Sequence, residues 1–266
     1  MIESKGLSVV LSPINPPRLA LDRHAGSSDM SLILNDLAIG YPNHLVMAGI
    51  GGTIHTSSAV ALIGQNGAGK STLLRTLAGE QAPVSGSCVW DASIKRHRSI
   101  AWLPQHPSLR PDAPLTVREL AAMGLWARLG LFGKPCRHDQ ERIDQALDMV
   151  GLADLENQQV GTLSGGQLQR ALFARLTVQD CGLILLDEPF SAVDTTSQAK
   201  LLEVIHHWVG EGRTVIAAIH DLECARHFPL WWELSKFGAI MRRSDEKPLS
   251  SLTQPMRAVS GVAHSS

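Results

Sequence analysis

Ala59-Val60-Ala61-Leu62-Ile63-Gly64-Gln65-Asn66-Gly67-Ala68-Gly69-Lys70-Ser71 decides how this sequence of 266 residues folds. Five apolar residues in a row suit a strand buried on both faces of a parallel sheet. The turn that follows fits G-x-x-x-x-G-K-[ST] in every fixed position. Beyond it a helical stretch runs from Ser71 to Ala78 and stops at Gly79. A strand, a glycine-rich turn and a helix start, in that order, suit a triphosphate. Glycines let backbone N–H groups curl around phosphate oxygens, and the helix N-terminus adds a favourable dipole. Lys70 is expected to neutralise the β- and γ-phosphates, and the Ser71 hydroxyl to sit on Mg2+. A glycine-rich turn without a ligand is the plain alternative. A lysine and a serine both correctly placed between strand and helix argue against it. The expected nucleotide contacts are thus Gly64, Gln65, Asn66, Gly67, Ala68, Gly69, Lys70, Ser71 and Thr72.

Working outward, Leu183-Ile184-Leu185-Leu186 and Thr214-Val215-Ile216-Ala217-Ala218-Ile219 read as two more buried strands. Leu32, Leu34 and Leu37 interleave with polar residues as in a half-buried strand beginning at Met30. Ser99 to Leu103 suits a further short strand. Residues 114–177 are helical in character, and Thr195 to Val209 reads as an amphipathic helix with Leu202, Ile205 and Val209 on one face. Alternating strands and helices predict an α/β domain with a mostly parallel sheet and an inserted helical subdomain, about 108–178. Residues 1–29 contain Pro13, Pro16 and Pro17 and are expected to form a flexible tail. The domain is expected over 30–241, with a loose tail over 242–266.

The metal half of a triphosphate site needs an acid at the end of another buried strand. Asp187 stands there, and Glu188 follows it. Asp187 is expected to hold Mg2+ through water, while Glu188 orients and deprotonates the attacking water. A strand-ending turn is a fair alternative for Asp187-Glu188-Pro189 alone, and it weakens beside the phosphate loop.

Hydrophobic residues make up 44% and charged residues 18%, which suits a chain with a substantial core. A net charge of −1 gives no basic surface for nucleic acid. The cysteines Cys88, Cys136, Cys181 and Cys224 are scattered, without a C-x-x-C pair, so neither a zinc site nor a disulfide framework is indicated. No apolar run approaches the ~18 residues of a membrane span. Leu7–Leu11 is broken at once by proline and does not read as a signal peptide. Work at a membrane would therefore require partners that cross it. The 11 histidines include no H-x-x-x-H pair, and His206 and His207 point in different directions on a helix.

Leu163-Ser164-Gly165-Gly166-Gln167, continued by Gln169-Arg170, separates this chain from other phosphate-loop proteins. It resembles the signature of ABC (ATP-binding cassette) ATPases. Ser164 also suits a helix N-cap with Gln167 closing a capping box. Other marks of that family fall in order. Gln105 resembles the Q-loop glutamine, a nucleotide and metal contact between core and helical subdomain. Ser191-Ala192-Val193-Asp194 resembles the D-loop, His220 the switch histidine that contacts the γ-phosphate, and Tyr41 the aromatic that stacks on adenine. Each is weak alone, since a lone histidine at a strand end is more often structural; their joint order carries the resemblance. Gln65 departs from the family, which often has proline there, at an unconstrained position.

The resemblance implies the ABC ATPase fold, with an antiparallel β edge, and two copies closing head to tail on ATP and Mg2+. In that arrangement Ser164, Gly165, Gly166 and Gln167 face the ATP held by the other copy. It also implies an integral membrane permease, a substrate-binding protein, and a place at the cytoplasmic face of the inner membrane. Finer similarity, in Met123–Trp126, Leu172–Arg175, Asp187–Asp194 and His220–Leu222 followed by Phe228-Pro229, is to the zinc, manganese and iron-chelate uptake group. It implies import of zinc or manganese. The competing readings are a soluble ABC ATPase of DNA repair or translation, a transporter subunit for another cargo, and a non-catalytic nucleotide-binding module. The short P-loop-to-signature gap and single cassette disfavour the first. Glu188 and His220 disfavour the last.

Overall fold

The computed structural model describes residues 30–90, 100–107, 109, 114–130, 133–191, 193–235 and 238–244. The tail expected over 1–29, Ala192 of the D-loop and everything from 245 onward lie outside them. In chain order, a hairpin of β1 (Met30–Tyr41) and β2 (His44–His55) precedes β3 (Ala59–Ile63), α1 (Lys70–Ala78), β4 (Ser85–Trp90) and β5 (Ile100–Leu103). The helical insert carries α2 (Val117–Ala122), α3 (Trp126–Leu129) and α4 (Arg137–Met149), and α5 (Gly165–Gln179) leads back from it. Then come β6 (Leu183–Asp187), α6 (Thr195–Gly210), β7 (Thr214–Ala218), the short α7 (Leu222–Ala225), β8 (Leu230–Ser235) and β9 (Gly238–Arg243).

Two sheets result. The larger has the order β5-β6-β7-β3-β8-β9 and is parallel except for the β8–β9 pair. The smaller, β2-β1-β4, is antiparallel. β3, β6 and β7 are buried along their whole length, which their unbroken apolar runs dictate. Alternation then sorts their side chains. Val60 and Leu62 enter a core with Leu73, Leu74 and Leu77 of α1 and with β1 and β2, while Ala59, Ala61 and Ile63 enter the core on the other face, with α5 and α6. Each buried Val, Leu or Ile adds roughly 1.5–3 kcal/mol of burial.

α5 joins the two halves of the molecule. Near its start, Arg170 Nη1 donates to the carbonyls of Val150 and Gly151, just past α4, at 3.1 Å each. Midway along it, Phe173 stacks on Trp208 of α6 with centroids 5.1 Å apart. The Trp208 indole N–H also donates to Thr177 Oγ1 at 3.1 Å.

β9 continues past residue 242, where the loose tail is expected to begin. Arg242 still pairs with Trp231 in β9, and its guanidinium lies 3.5 Å from buried Glu233. A charged residue reads as tail in the sequence, whereas here it is held by a carboxylate that the fold buries. β2, β8 and β9 also go beyond the expected strands. β2 carries three glycines, Gly49, Gly51 and Gly52, and its register with β1 shifts, so it lacks a clean alternation.

Candidate functional site

The carboxyl ends of β3, β6 and β7 are adjacent, because Leu62 and Asp187 both pair with Ala218. Such ends are where open α/β sheets bind ligands. β3 runs out into the glycine-rich turn, and α1 starts at once. Its N-cap is Gly69, with φ 94° and no side chain to cap the first-turn N–H groups. Gly69 is required twice over: for this left-handed backbone, and because a Cβ would stand 2.8 Å from Val46 Cγ1. An uncapped helix start leaves backbone donors for an anion.

The Lys70 ammonium is drawn over the turn, donating to the carbonyls of Gly64 at 2.7 Å and Gln65 at 3.2 Å. Burial lowers its pKa, against the pull of Glu188 and Asp187. Ser71 Oγ donates to Asp187 Oδ1 at 3.0 Å. Burial raises the Asp187 carboxyl, the Ser71 hydrogen bond opposes the rise, and neighbouring Glu188 adds to it. Glu188 is a non-glycine residue at φ 49°, held by its N–H to the Ala218 carbonyl at 3.1 Å. Strain of this kind concentrates at functional sites. The Glu188 carboxylate accepts from Gln105 Nε2 at 2.8 Å. Hydrogen bonds thus tie Lys70 to the turn, Ser71 to Asp187 and Glu188 to Gln105, with Asp187 and Glu188 adjacent in sequence.

Tyr41 ends β1 and His220 follows β7, while Ser164 and Asp194 start α5 and α6. Tyr41 is 43% exposed, and its hydroxyl is 3.5 Å from Thr72 Oγ1. His220, just past β7, is exposed and has no side-chain hydrogen bond among the described residues. Ser164 caps α5 as the sequence suggested: its Oγ accepts from Gln167 N at 3.2 Å, and Gln167 Oε1 accepts from Ser164 N at 2.8 Å. No hydrogen bond joins this turn to the phosphate loop among the described residues. Asp194 caps α6, accepting from Ser197 N at 2.8 Å, and that bond holds its carboxyl below the ordinary range. Gly166 packs against it: a Cβ there would meet Asp194 Oδ2 and Ser197 Oγ at 2.8 Å each. Gln198, Cys224 and Asp221 form a hydrogen-bonded run that the sequence did not single out; its one signal was Asp221 following His220.

Comparison with known proteins decides what this arrangement belongs to. The ABC transporter family model matches residues 47–191. The chain belongs to that family. It is 37% identical over 195 residues, 73% of this chain and 75% of the relative, to the "Probable metal transport system ATP-binding protein" of Chlamydia muridarum. It is 32% identical to the manganese transport system ATP-binding protein of Bacillus subtilis, over 74% of this chain and 80% of that one. It is also 41% identical to the hemin import ATP-binding protein of Bradyrhizobium diazoefficiens, over 69% and 71%. Among solved structures, one described as an inward-facing metal-chelate type ABC transporter superposes with a TM-score of 0.74 at 28% identity, covering 85% of this chain and 88% of that one. As an ABC transporter ATP-binding subunit, the chain is an ATPase. No helix among the described residues is long and apolar enough to cross a membrane.

Proposed function

We propose that this ABC ATPase energises uptake of a divalent transition metal, zinc first and manganese second, through a separate membrane permease. The hydrolytic part rests on one observation: Ser71 and Asp187 share a hydrogen bond beside Glu188, which Gln105 holds in turn. A hydroxyl and a carboxylate suit a hard cation, so Ser71 and Asp187 would hold Mg2+, with Gln105 at its edge. The ion would neutralise charge on the β- and γ-phosphates. Lys70 and the uncapped start of α1 bind those phosphates, and Tyr41 stacks on adenine. Glu188 accepts the proton of the attacking water, and His220 contacts the γ-phosphate.

No hydrogen bond ties the turn Ser164–Gln167 to this centre among the described residues, which supports a site completed by a second copy, head to tail. Each ATP then lies between one phosphate loop and the other copy's signature. The permease holds the pair at the cytoplasmic face of the inner membrane, and a substrate-binding protein delivers the cargo. The metal relatives and the resemblance around Trp126, Phe173 and Phe190 support the cargo. The test is deletion of the gene. Cellular zinc or manganese is expected to fall, with growth under chelation rescued by added metal. The hemin relative supports a second reading, an iron chelate. That reading gains if hemin rescues the strain and neither ion does. Normal metal content with failure on an organic nutrient removes the metal reading and leaves the ATPase.

A further inference from the structure

Cys224 is 3% exposed, and its thiol lies between two polar side chains from different helices. Gln198 Nε2, on α6, donates to Cys224 Sγ at 2.8 Å, and the thiol donates to Asp221 Oδ2 at 3.4 Å. The other carboxylate oxygen, Oδ1, accepts the backbone N–H of Glu223 at 2.9 Å, capping α7. Both Asp221 oxygens are therefore held, one by α7 and one through the thiol by α6. Burial, and then the Asp221 bond, push the thiol up to about 11, so it keeps its proton at neutral pH and remains a donor.

His220 stands immediately before Asp221. On its other side, Ile219 N donates to the Leu62 carbonyl at the end of β3 at 3.0 Å. The histidine is thus suspended between two fixed residues, and only Asp221 is fixed through its side chain. Gln198 in turn lies one turn into α6, where its N–H donates to the Asp194 carbonyl at 2.8 Å. Asp194 and Ser197 are the residues against which Gly166 of the signature helix packs. The contacts run without a gap from the signature turn to the residue beside His220.

We propose that Gln198, Cys224 and Asp221 are positioning residues for hydrolysis: a thiol-bridged chain that sets His220 and links it to the signature end of the same subunit. The proposal rests on the reading of His220 as the γ-phosphate contact. Replacing the thiol by a methyl group leaves the Gln198 amide and Asp221 Oδ2 without each other's bridge, and frees the loop that carries His220.

The test is single-turnover ATP hydrolysis by the full chain. Cys224→Ala is expected to slow hydrolysis roughly 10-fold, less than the ~10²-fold that a 1 Å misplacement costs, with the ATP dissociation constant unchanged. Cys224→Ser keeps a group that accepts and donates, and is expected to restore the rate. In a His220→Ala background, Cys224→Ala should add no further loss. In proton–carbon spectra the His220 imidazole signals, identified by their absence in His220→Ala, should move in Cys224→Ala and return in Cys224→Ser. An unmoved imidazole or wild-type turnover in Cys224→Ala overturns the chain. So does a full 10-fold loss added to that of His220→Ala. If His220→Ala itself turns over like wild type, the γ-phosphate role fails, while the imidazole shift still reports separately whether the thiol bridge holds the ring.

Discussion

The two helix starts proposed to serve the nucleotide are built in opposite ways. α1 begins at Gly69, which has no side chain, so its first-turn N–H groups have no cap. α5 begins at Ser164, whose hydroxyl and the Gln167 side chain satisfy each other's backbone donors. The first start is also locked in place: Lys70 is 7% exposed, and a Cβ on Gly64 would stand 2.6 Å from the Leu234 carbonyl. The second is largely solvent-facing. One start leaves its backbone donors for a ligand; at the other the capping box already satisfies the N–H groups of Ser164 and Gln167. The phosphate-loop end thus suits binding of an anion, and the signature end suits presentation to another molecule.

The largest expected effect lies at the uncapped end. Lys70→Ala removes the side-chain cation drawn over the turn, and charge-assisted hydrogen bonds are worth about 1.5–3 kcal/mol. ATP affinity should fall roughly 10- to 100-fold in a nucleotide titration, and hydrolysis should cease. Unchanged affinity would put the phosphates elsewhere and break the comparison at its root. Next, Glu188→Gln should keep ATP binding and slow hydrolysis by roughly 10²–10⁴, the range for a lost general base. ATP-loaded dimers should then accumulate on sizing, and wild-type turnover would name another base.

At the capped end, Ser164→Ala should cost about 1 kcal/mol of stability, lowering Tm by roughly 2–4 °C for a domain of this size. A melt identical to wild type would show that the capping box carries no weight, and that the two starts differ less than their geometry implies. The smallest effect sharpens the contrast from the binding side. Burial holds the Asp187 carboxyl above its ordinary range, so the folded chain retains a proton that the unfolded chain has already released. Stability attributable to Asp187 therefore falls as pH rises through that window. Asp187→Asn still accepts from Ser71 and carries no such loss. It should melt slightly above wild type at neutral pH, with the gap closing as pH falls, while Mg2+-dependent hydrolysis drops. A lower melting point at neutral pH would mean that the ionised carboxylate stabilises the fold.

Sequence legibility follows the same division. β3, β6 and β7 were readable because strands buried on both faces are written as apolar runs, and the turn after β3 because phosphate binding fixes residue types at fixed spacing. The Ser164 capping box was readable because both partners lie within four residues. β2 was not, since glycines and register shifts erase its alternation, nor β9, whose Arg242 is charged yet held by Glu233. Within the site, Asp187 and Glu188 follow a strand, but the left-handed backbone of Glu188 has no signal in its residue type. The Gln198–Cys224–Asp221 chain was invisible for a different reason. Gln198 and Cys224 are separated by 26 positions and meet only in the folded chain, where the first turn of α6 reaches α7.

α5 has a mechanical consequence. Its second half is riveted to α6 by the Phe173–Trp208 stack and the Thr177 hydrogen bond, while its first turn carries the signature. A helix of 15 residues is a rod about 22 Å long. From the Phe173–Trp208 stack to the tip is about 13 Å at the rise of an α-helix, so a tilt of ~5° about that stack sweeps the tip through about 1 Å, roughly half the H···O length of a hydrogen bond. The rod therefore acts as a lever: a shift in the core too small to disturb packing is enlarged at Ser164, where the proposed contact with the other copy's ATP would be made or missed.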